Sequence, residues 1–362
     1  MPKISNINIK NNYSTSSLEI ISQMNKEFIL VTGGCGYIGS HIAINLLKSS
    51  YNMVILDNFS NSSKKVVERI RKISNKTFEV IEGDISDRNI LKDIFRNYTI
   101  KGVIHLAALK AVGEAEKNPL SYYRNNVNGS LILFEEMEIA NVKTIVFSSS
   151  ATVYGQKNNH MFREEDPLEP YNVYGRTKLI IENLLKDIHN SSQDWKVVIL
   201  RYFNPIGAHS SGLIGDNPFN SPSNLLPFIT QVAVGKRKQL LVFGDDYPTS
   251  DGTCKRDYIH VSDLAEAHFD ALNYLFNNES SFLIFNLGTG KAYSVLEVIK
   301  IFEEVTGIYI PFRVVDRRSG DVAESLADPT KAKNILGWEA NLDLYKMCQD
   351  SWLWQRQNPN GI

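Results

Sequence analysis

Residues 31–42 read Val-Thr-Gly-Gly-Cys-Gly-Tyr-Ile-Gly-Ser-His-Ile, a glycine-rich turn between two apolar stretches. Residues 28–31 before it are β-prone, and the residues after it have helical apolar spacing, so the glycines lie where a strand becomes a helix. There Gly33 can adopt a turn conformation closed to other residues, while Gly36 lets the backbone approach a pyrophosphate. Gly39 lets the helix pack closely on the strand. The stretch predicts a dinucleotide-binding turn, although taken alone it also suits an ordinary turn with a packing glycine.

The next strand pattern ends in an acidic residue. Residues 53–56, Met-Val-Ile-Leu, lead into Asp57, about 20 residues beyond the glycines. A carboxylate at this point accepts hydrogen bonds from an adenosine ribose and repels a 2′-phosphate, so NAD is favoured over NADP. Lys64 and Lys65 would suit a 2′-phosphate, but they lie several residues further on, where solvent exposure is the simpler interpretation.

Composition restricts the function classes. The chain has 362 residues and a formal net charge of −1, so we expect more than one average domain and no binding to nucleic acid or membrane surfaces through bulk charge. The three cysteines are widely spaced and form no metal-like pair, which predicts neither a disulfide framework nor a metal site and favours the reducing cytoplasm. No apolar run approaches the roughly 18 residues of a membrane span, and no signal peptide is visible.

We expect three regions: a mobile extension over residues 1–27, a dinucleotide-binding domain over residues 28–204, and a smaller α/β substrate domain over residues 205–355. Some segments of the smaller domain are allowed to pack back on the first. Strand-like and helical patterns alternate through the first domain, which predicts a doubly wound parallel α/β sheet of the Rossmann type. The strand candidates are residues 28–32, 53–57, 78–82, 103–107, 144–149 and 197–203. The helix candidates are residues 40–49, 63–74, 89–97, 121–140 and 174–188.

A serine-rich strand end and a Tyr-x-x-x-Lys pattern suggest chemistry. Strand 144–149 runs into Ser148-Ser-Ser-Ala-Thr-Val-Tyr-Gly155, which brings hydroxyls to the edge where ligands of this fold bind. Tyr174 and Lys178 share one helix face, so the ammonium should lower the phenol pKa from about 10 toward neutrality, as a general base requires. The pattern alone also suits an amphipathic helix with a solvated lysine. The glycine turn and the serines favour the catalytic interpretation.

Further segments have candidate binding roles. Asp84 and Ile85 suit an adenine contact, and the small residues of 106–110 would let a cofactor lie close, although a tightly packed strand end is an alternative. Phe243 could stack near a base or could belong to a core strand. The loop arginines Arg256 and Arg318 suit a diphosphate by bidentate geometry, although solvated arginines are common in loops.

Together these segments carry a family resemblance. The chain resembles the extended short-chain dehydrogenase/reductases and, within them, the UDP-glucose 4-epimerases, over about residues 28–355. The matching motifs occupy residues 31–41, 109–114, 148–155, 174–178, 201–205 and 256–260. Departures are minor: Cys35 and Ala108 stand at variable positions, and the N-terminal extension has no family counterpart.

The resemblance implies the site residues. The catalytic set would be Tyr174, Lys178 and Ser150. The NAD-binding residues would be Gly33, Gly36, Tyr37, Ile38, Gly39, Asp57, Asn58, Asp84, Ile85, Leu106, Ala107, Ala108, Lys110, Asn125, Ser150, Tyr174, Lys178 and Phe203. The substrate-binding residues would be Ser150, Tyr174, Asn204, Asn224, Leu225, Leu241, Phe243, Arg256, Arg318, Asp321 and Ser325. Among these, the two arginines would bind the UDP phosphates, Asp321 the uridine ribose, and Ser325 would line the pocket near the C2 substituent of the sugar.

The activity implied is reversible C4 epimerisation of UDP-hexoses through a 4-keto intermediate with bound NAD, as in galactose metabolism. A small residue at 325 goes with acceptance of N-acetylated sugars as well, and the family forms homodimers through helices near 121–140 and 174–188. A 4,6-dehydratase is the nearest rival, but that branch has an Asp-Glu pair where Ala151 and Thr152 follow Ser150 here. A sensor that binds NAD without chemistry usually lacks the tyrosine or the lysine, and both are present.

Overall fold

The computed structural model describes residues 26–49, 51–155, 161–218, 222, 224–318 and 321–362. The predicted N-terminal extension therefore lies outside the described residues, apart from Lys26 and Glu27. The strands are β1 (Glu27–Thr32), β2 (Asn52–Asp57), β3 (Glu79–Glu82), β4 (Thr99–His105), β5 (Thr144–Ser150), β6 (Met161–Phe162), β7 (Lys196–Tyr202), β8 (Asn204–Ile206), β9 (Leu240–Phe243), β10 (Lys255–His260), β11 (Ser281–Leu287), β12 (Ala292–Ser294), β13 (Phe312–Val315) and β14 (Glu324–Ala327).

The helices alternate with these strands. They are α1 (Tyr37–Lys48), α2 (Lys65–Ser74), α3 (Arg88–Asn97), α4 (Val112–Lys117), α5 (Pro119–Tyr122), α6 (Gly129–Ile139), α7 (Val173–Ser191), α8 (Leu225–Ala233), α9 (Val261–Asn277), α10 (Val295–Thr306), α11 (Thr330–Leu336) and α12 (Leu344–Gln357). A π-helical segment, Tyr123–Asn128, joins α5 to α6, and a short 3-10 helix, Ala151–Tyr154, follows β5. Among the described residues, no helix is long and apolar enough to cross a membrane.

Seven parallel strands form the larger sheet, in the order β11-β7-β5-β4-β1-β2-β3. The strand order reverses between β1 and β4, and ligands of open α/β sheets bind in the crevice at such a switch point. The predicted doubly wound parallel sheet is confirmed. All six predicted strands are present, with bounds within four residues of those expected.

Two hydrophobic cores cover the two faces of this sheet. In β1 the neighbouring residues Leu30 and Val31 are both fully buried, yet Val31 packs beneath α1, α2 and α9 whereas Leu30 packs beneath α3, α6 and α7. Side chains alternate along a strand, so a sheet covered on both faces needs an apolar residue at every position. This is why the central strands appear in the sequence as unbroken apolar runs.

The seventh strand comes from far along the chain. Strand β11 pairs in parallel with β7 along its full length, and α9 packs in the same core as α1. Helix α11 ends at Gly337 with a φ of +70°, and the buried Trp338 that follows donates from Nε1 to the carbonyl of Asp263 at 2.9 Å. Residues 261–287 and 330–338 thus pack on the larger sheet, while β6 pairs with the smaller one. A single cut at residue 204 does not separate the two domains.

The smaller domain contains two short sheets. One has the order β12-β10-β14-β6 with β8 paired to β10, and the other consists of β13 and β9. Helices α8, α10 and α12 share a core with β9 and β10. Strands β9, β10 and β14 carry several of the expected substrate-binding residues, among them Phe243, Arg256 and Ser325.

Candidate active site

The glycine turn lies at the switch point of the larger sheet. Gly33 has a φ of +70°, and a Cβ atom there would lie 2.9 Å from the backbone nitrogen of Ala107, in the loop after β4. A Cβ at Gly39 would lie 2.3 Å from the carbonyl oxygen of Gly33. Both positions therefore require glycine. Helix α1 begins at Tyr37 with Gly36 as N-cap and no side-chain cap hydrogen bond, which leaves N–H groups of its first turn to attract an anion.

Asp57 is fixed at the carboxyl end of β2. Its Oδ2 accepts a hydrogen bond from the Cys35 N–H at 2.9 Å, and its Oδ1 accepts one from the Ser62 hydroxyl at 2.9 Å. The carboxylate thus links β2 to the glycine turn, and the remaining lone pairs of its oxygens can accept ribose hydroxyls. Lys64 forms an ion pair with Glu82, so its charge is already balanced on the surface.

Asn58 and Asp84 meet beside Asp57. The Asn58 side-chain amide donates to Asp84 Oδ2 at 2.7 Å, and Ser86 donates to Oδ1 from both its N–H and its hydroxyl. Partial burial raises the pKa of Asp84, but the hydrogen bonds from Ser86 and Asn58 outweigh it and hold the pKa below its usual value. Ile85 is buried next to it. These residues form a polar and apolar edge at the ends of β2 and β3.

A buried hydrogen-bonded chain fixes the loop after β4. The Ala107 N–H donates to Thr32 Oγ1 at 3.3 Å, and the same hydroxyl lies 2.7 Å from His105 Nδ1. His105 Nε2 lies 2.8 Å from Ser130 Oγ, and Ser130 donates its proton to the carbonyl of Asn126. Nε2 must therefore carry the imidazole proton and Nδ1 must accept. Burial lowers the pKa of His105 to about 3, so the ring remains neutral and this chain persists at neutral pH.

Asn126 connects the same loop to the helix that carries the tyrosine. Its side chain accepts from the Leu109 N–H at 2.8 Å, donates to the Leu109 carbonyl at 3.0 Å, and donates to Thr177 Oγ1 on α7 at 3.1 Å. Asn125 in turn donates to Asn126 Oδ1 at 2.9 Å, and the Lys110 ammonium lies 5.9 Å from the ring centre of Tyr37. The loop of residues 106–110 is therefore held between the glycine helix and α7.

Sequence reasoning missed His105 and Asn126. The signal for His105 was a polar residue in the apolar run Val-Ile-His-Leu at a strand end, where an ionisable group is out of place unless it is hydrogen-bonded. Asn126 gave no signal, because its role depends on contacts with residues 17 and 51 positions away.

Tyr174, Lys178 and Ser150 meet at the carboxyl end of β5. Helix α7 begins after Asn172, whose side chain accepts from the Gly175 N–H at 2.7 Å, so Tyr174 lies in the first turn and Lys178 one turn later. The Lys178 ammonium donates to the Ser148 carbonyl at 2.7 Å and lies 5.9 Å from the ring centre of Tyr174. The Ser150 side chain is close enough to the Tyr174 phenol to lower its pKa.

The pKa of the Tyr174 phenol differs from the one expected from the sequence. Burial and the nearby Tyr202 raise the pKa of Tyr174 above its usual value, and the Ser150 side chain lowers it only in part. Burial also lowers the pKa of Lys178 to about 7, which the Glu182 carboxylate partly opposes. The expected fall of the phenol pKa toward neutrality was wrong for the protein by itself, because burial disfavours the charged form of both groups.

Arg256, Arg318 and Asp321 lie together in the smaller domain. Arg256 Nη2 lies 3.4 Å from Asp321 Oδ1, and Arg318 Nε donates to Oδ2 at 3.0 Å. The Arg318 guanidinium lies 4.8 Å from the ring centre of Phe243 at the end of β9. The group combines two cations, a carboxylate and an aromatic face, which suits a nucleoside diphosphate. Ser325 pairs in register with Arg256 and is half-buried in β14, so it does not lie in a solvated loop.

The other expected residues lie on β8, β9 and α8. Asn204 begins β8 directly after the buried Phe203, and Leu241 lies two residues before Phe243 on the same strand face. Asn224 is the N-cap of α8 but donates its side-chain amide to Asp216 at 3.1 Å, and Leu225 is the first residue of that helix. Among the described residues, no cluster of His, Cys, Asp or Glu could hold a metal ion.

Comparison with known proteins identifies the family. A family model described as GDP-mannose 4,6 dehydratase matches residues 30–351. The UDP-glucose 4-epimerase of Bacillus subtilis is 54% identical over 333 residues, which cover 92% of this chain and 98% of that protein. The chain belongs to the UDP-glucose 4-epimerase family. The resemblance predicted from the motifs is confirmed.

Solved structures of UDP-glucose 4-epimerases have the same fold as this chain. The enzyme from Bifidobacterium longum, in complex with NAD+ and UDP, is 45% identical with a TM-score of 0.89, and the match covers 92% of this chain and 100% of that chain. The enzyme from Stenotrophomonas maltophila, with bound NAD and formylated UDP-arabinopyranose, is 48% identical with a TM-score of 0.89, and the match covers 91% and 98%.

Proposed function

We propose that this chain catalyses reversible epimerisation at C4 of UDP-glucose and UDP-galactose, with NAD as a bound cofactor. One observation carries the proposal: the phenol of Tyr174, with Ser150 and Lys178, lies at the carboxyl edge of the sheet that also carries the glycine turn. A base at a dinucleotide crevice suits oxidation of a substrate hydroxyl. The family membership supports the choice of substrate.

The residues around the crevice fit NAD. The glycines leave the space that a pyrophosphate needs, α1 offers its uncapped N-terminus, and Asp57 suits the adenosine ribose. We assign the loop of residues 106–110 and Asn125 to the nicotinamide half of the cofactor. When bound, NAD would supply the acceptor for the C4 hydride and, once reduced, the donor that returns the same hydride to the ketone.

The chain's own groups hold the sugar and move its proton. Tyr174, as phenolate, removes the proton of the C4 hydroxyl, and Ser150 holds that hydroxyl by a hydrogen bond. The oxidised sugar is a UDP-4-ketohexose. Its sugar ring must rotate within the site so that the opposite face of C4 is presented to the nicotinamide. Arg256 and Arg318 would anchor the diphosphate during this turn, and Asp321 orients both arginines. The same phenol then returns the proton to the new C4 oxygen.

Proton NMR of the purified protein with UDP-galactose and no added NAD tests the proposal. Appearance of UDP-glucose would establish both the reaction and the retention of the cofactor. A protein that carries NAD but leaves UDP-galactose unchanged would instead be a binding protein, and a 4,6-dehydratase would yield a 4-keto-6-deoxy sugar.

The cofactor choice is a separate prediction. Acid-released nucleotide, separated by chromatography, should be NAD, because the fixed carboxylate of Asp57 repels a 2′-phosphate and Lys64 is already paired with Glu82. Recovery of mainly NADP would contradict the role of Asp57. Asp57→Ala should relax this preference.

We propose that the site also accepts UDP-N-acetylglucosamine and UDP-N-acetylgalactosamine. Ser325 is small and pairs in register with Arg256, so at this position it would leave space for an N-acetyl group at C2. Ser325→Tyr should abolish turnover of the N-acetylated pair by steric clash and retain turnover of UDP-galactose. Coupled assays on both substrate pairs measure this.

The matched control is Ser325→Ala, which keeps the space and removes only the hydroxyl. It should retain both activities. If wild type never converts the N-acetylated pair, or if Ser325→Tyr leaves that conversion intact, another residue limits the pocket.

We further propose a cytoplasmic homodimer that pairs helices near residues 121–140 and 174–188. The support is two large apolar side chains exposed in or next to the first of these segments, Leu120 at 77% and Ile139 at 73%. Cys35, Cys254 and Cys348 are free and buried, which suits a reducing compartment. Sedimentation equilibrium at micromolar concentration should give twice the mass of one chain. A monomer would contradict the pairing.

A further inference from the structure

A buried ion pair lies behind the catalytic strand. Glu182 of α7 and Arg201 of β7 are 3% and 2% exposed, and the guanidinium binds the carboxylate as a fork, with Nη2 to Oε2 at 2.6 Å and Nε to Oε1 at 3.0 Å. The Ser149 hydroxyl also donates to Oε1. Two buried charges are costly to hold unless they are paired and hydrogen-bonded, and this pair is both.

The pair continues the row of catalytic side chains. Residues 174, 178 and 182 are spaced by four and therefore lie in one row along α7. Two consecutive residues of β5 bind two of them: the Ser148 carbonyl accepts from Lys178, and the Ser149 hydroxyl donates to Glu182. The next residue, Ser150, is close enough to Tyr174 to lower the pKa of its phenol. Phenol, ammonium and carboxylate are thus ordered along one helix by one strand.

Other ionisable groups near Lys178 do not balance its charge. His105 of β4 is neutral, since burial lowers its pKa to about 3. Burial raises the pKa of Tyr122 and of Tyr202 to about 12, so both phenols are neutral near pH 7. Arg201 stays charged, but its fork is directed at Glu182. The carboxylate that favours the Lys178 ammonium is therefore that of Glu182.

We propose that Glu182 is a positioning residue for the epimerisation, whose carboxylate, held by Arg201 and Ser149, keeps the Lys178 side chain charged beside Tyr174. Loss of the carboxylate makes the ammonium less stable, and a less charged lysine favours the phenolate less. The kinetic consequence rests on the proposed function, whereas the charge of Lys178 can be measured without it.

An NMR titration tests the charge directly. The ¹³Cε resonance of Lys178, assigned by its loss in Lys178→Arg, should titrate below the usual range of a lysine in the wild-type protein, because burial lowers the pKa of the ammonium. In Glu182→Gln the midpoint should fall by about one pH unit, because an opposite charge has been removed. The kcat for UDP-galactose should then fall about tenfold at pH 8 with little change in KM, and the acid limb of its pH profile should move to higher pH.

Two further variants separate the effect of the lost charge from loss of the fold. Glu182→Gln leaves Arg201 buried without its partner, so we pair it with Glu182→Gln combined with Arg201→Met, which removes both charges at similar volume. Glu182→Asp keeps the carboxylate and should restore part of the wild-type midpoint. Retained nucleotide and an unchanged circular dichroism spectrum identify the folded variants.

Glu136 provides the matched control. It is also a buried carboxylate on a helix, 2% exposed and bound by Arg88 at 2.6 Å, but it belongs to α6. Glu136→Gln should leave the Lys178 midpoint unchanged. An unchanged Lys178 midpoint in a folded Glu182 variant would overturn the proposal. Unfolding of both Glu182→Gln and the double variant would also overturn it, because the ion pair would then serve the stability of the fold. If the wild-type protein does not epimerise UDP-galactose, the proposed function is refuted, but the titration still reports the charge of Lys178.

Discussion

Replacing Tyr174 with phenylalanine is expected to lower kcat for UDP-galactose about 10³-fold or more while NAD stays bound. The substitution removes the phenol oxygen and leaves the ring, which packs against Ala115, Tyr122 and Val173. The proton acceptor is lost, whereas the glycine turn, Asp57 and the arginine group that would bind the two nucleotides are unchanged. Fixed-time NMR assays measure kcat, and the nucleotide released by acid measures the NAD content.

Tyr171→Phe is the matched control, because Tyr171 is an exposed tyrosine three residues earlier. It should behave as wild type. Near-normal turnover of Tyr174→Phe would rule out the phenol as the base, and loss of NAD in that variant would mean that the hydroxyl mainly holds the cofactor.

Lys178→Ala is expected to lower kcat about 10²-fold and to move the acid limb of the pH profile to higher pH. A charged ammonium favours the phenolate, so without it Tyr174 keeps its proton to higher pH. Burial lowers the pKa of Lys178 to about 7, so the ammonium contributes fully below that pH and progressively less above it. The ratio of wild-type to variant kcat should therefore be greatest at or below pH 7 and should shrink as the pH rises.

Lys186→Ala on the exposed side of the same helix controls for the loss of a lysine. It should leave both the rate and the profile unchanged. Lys178→Arg keeps a charge and should retain more activity than Lys178→Ala at high pH, since a guanidinium does not lose its proton there. An acid limb at the same pH in Lys178→Ala would mean that other groups set the ionisation of Tyr174.

The fold could be predicted where burial leaves a local pattern. Strands β1, β2, β5 and β7 are buried on both faces, so each is an apolar run that stands out in the sequence. Strand β11 escaped prediction because its place beside β7 depends on pairing between residues 85 positions apart. Local patterns cannot report such a pairing, and the six strands expected for this sheet did not include β11.

The candidate site was predictable to the extent that motifs carry it. Tyr174, Lys178 and Ser150 lie together as their spacing and the strand end indicated. The network around them was not predictable, since His105 and Glu182 act through hydrogen bonds to distant serines. The direction of the Tyr174 pKa was also beyond sequence, because it depends on how deeply the phenol is buried.

The late arrival of β11 has a consequence for any shortened form of this chain. Synthesis up to residue 204 completes every motif of the glycine and tyrosine side, yet leaves β7 as an open edge with a row of unpaired N–H and C=O groups. Its residues Val197 to Leu200 are all apolar, so such a fragment would present a template for aggregation rather than an independent nucleotide-binding unit. During translation the same edge stays without its partner while about 77 more residues are made, at roughly 5–20 residues per second, and for those seconds it is open to pairing with another chain.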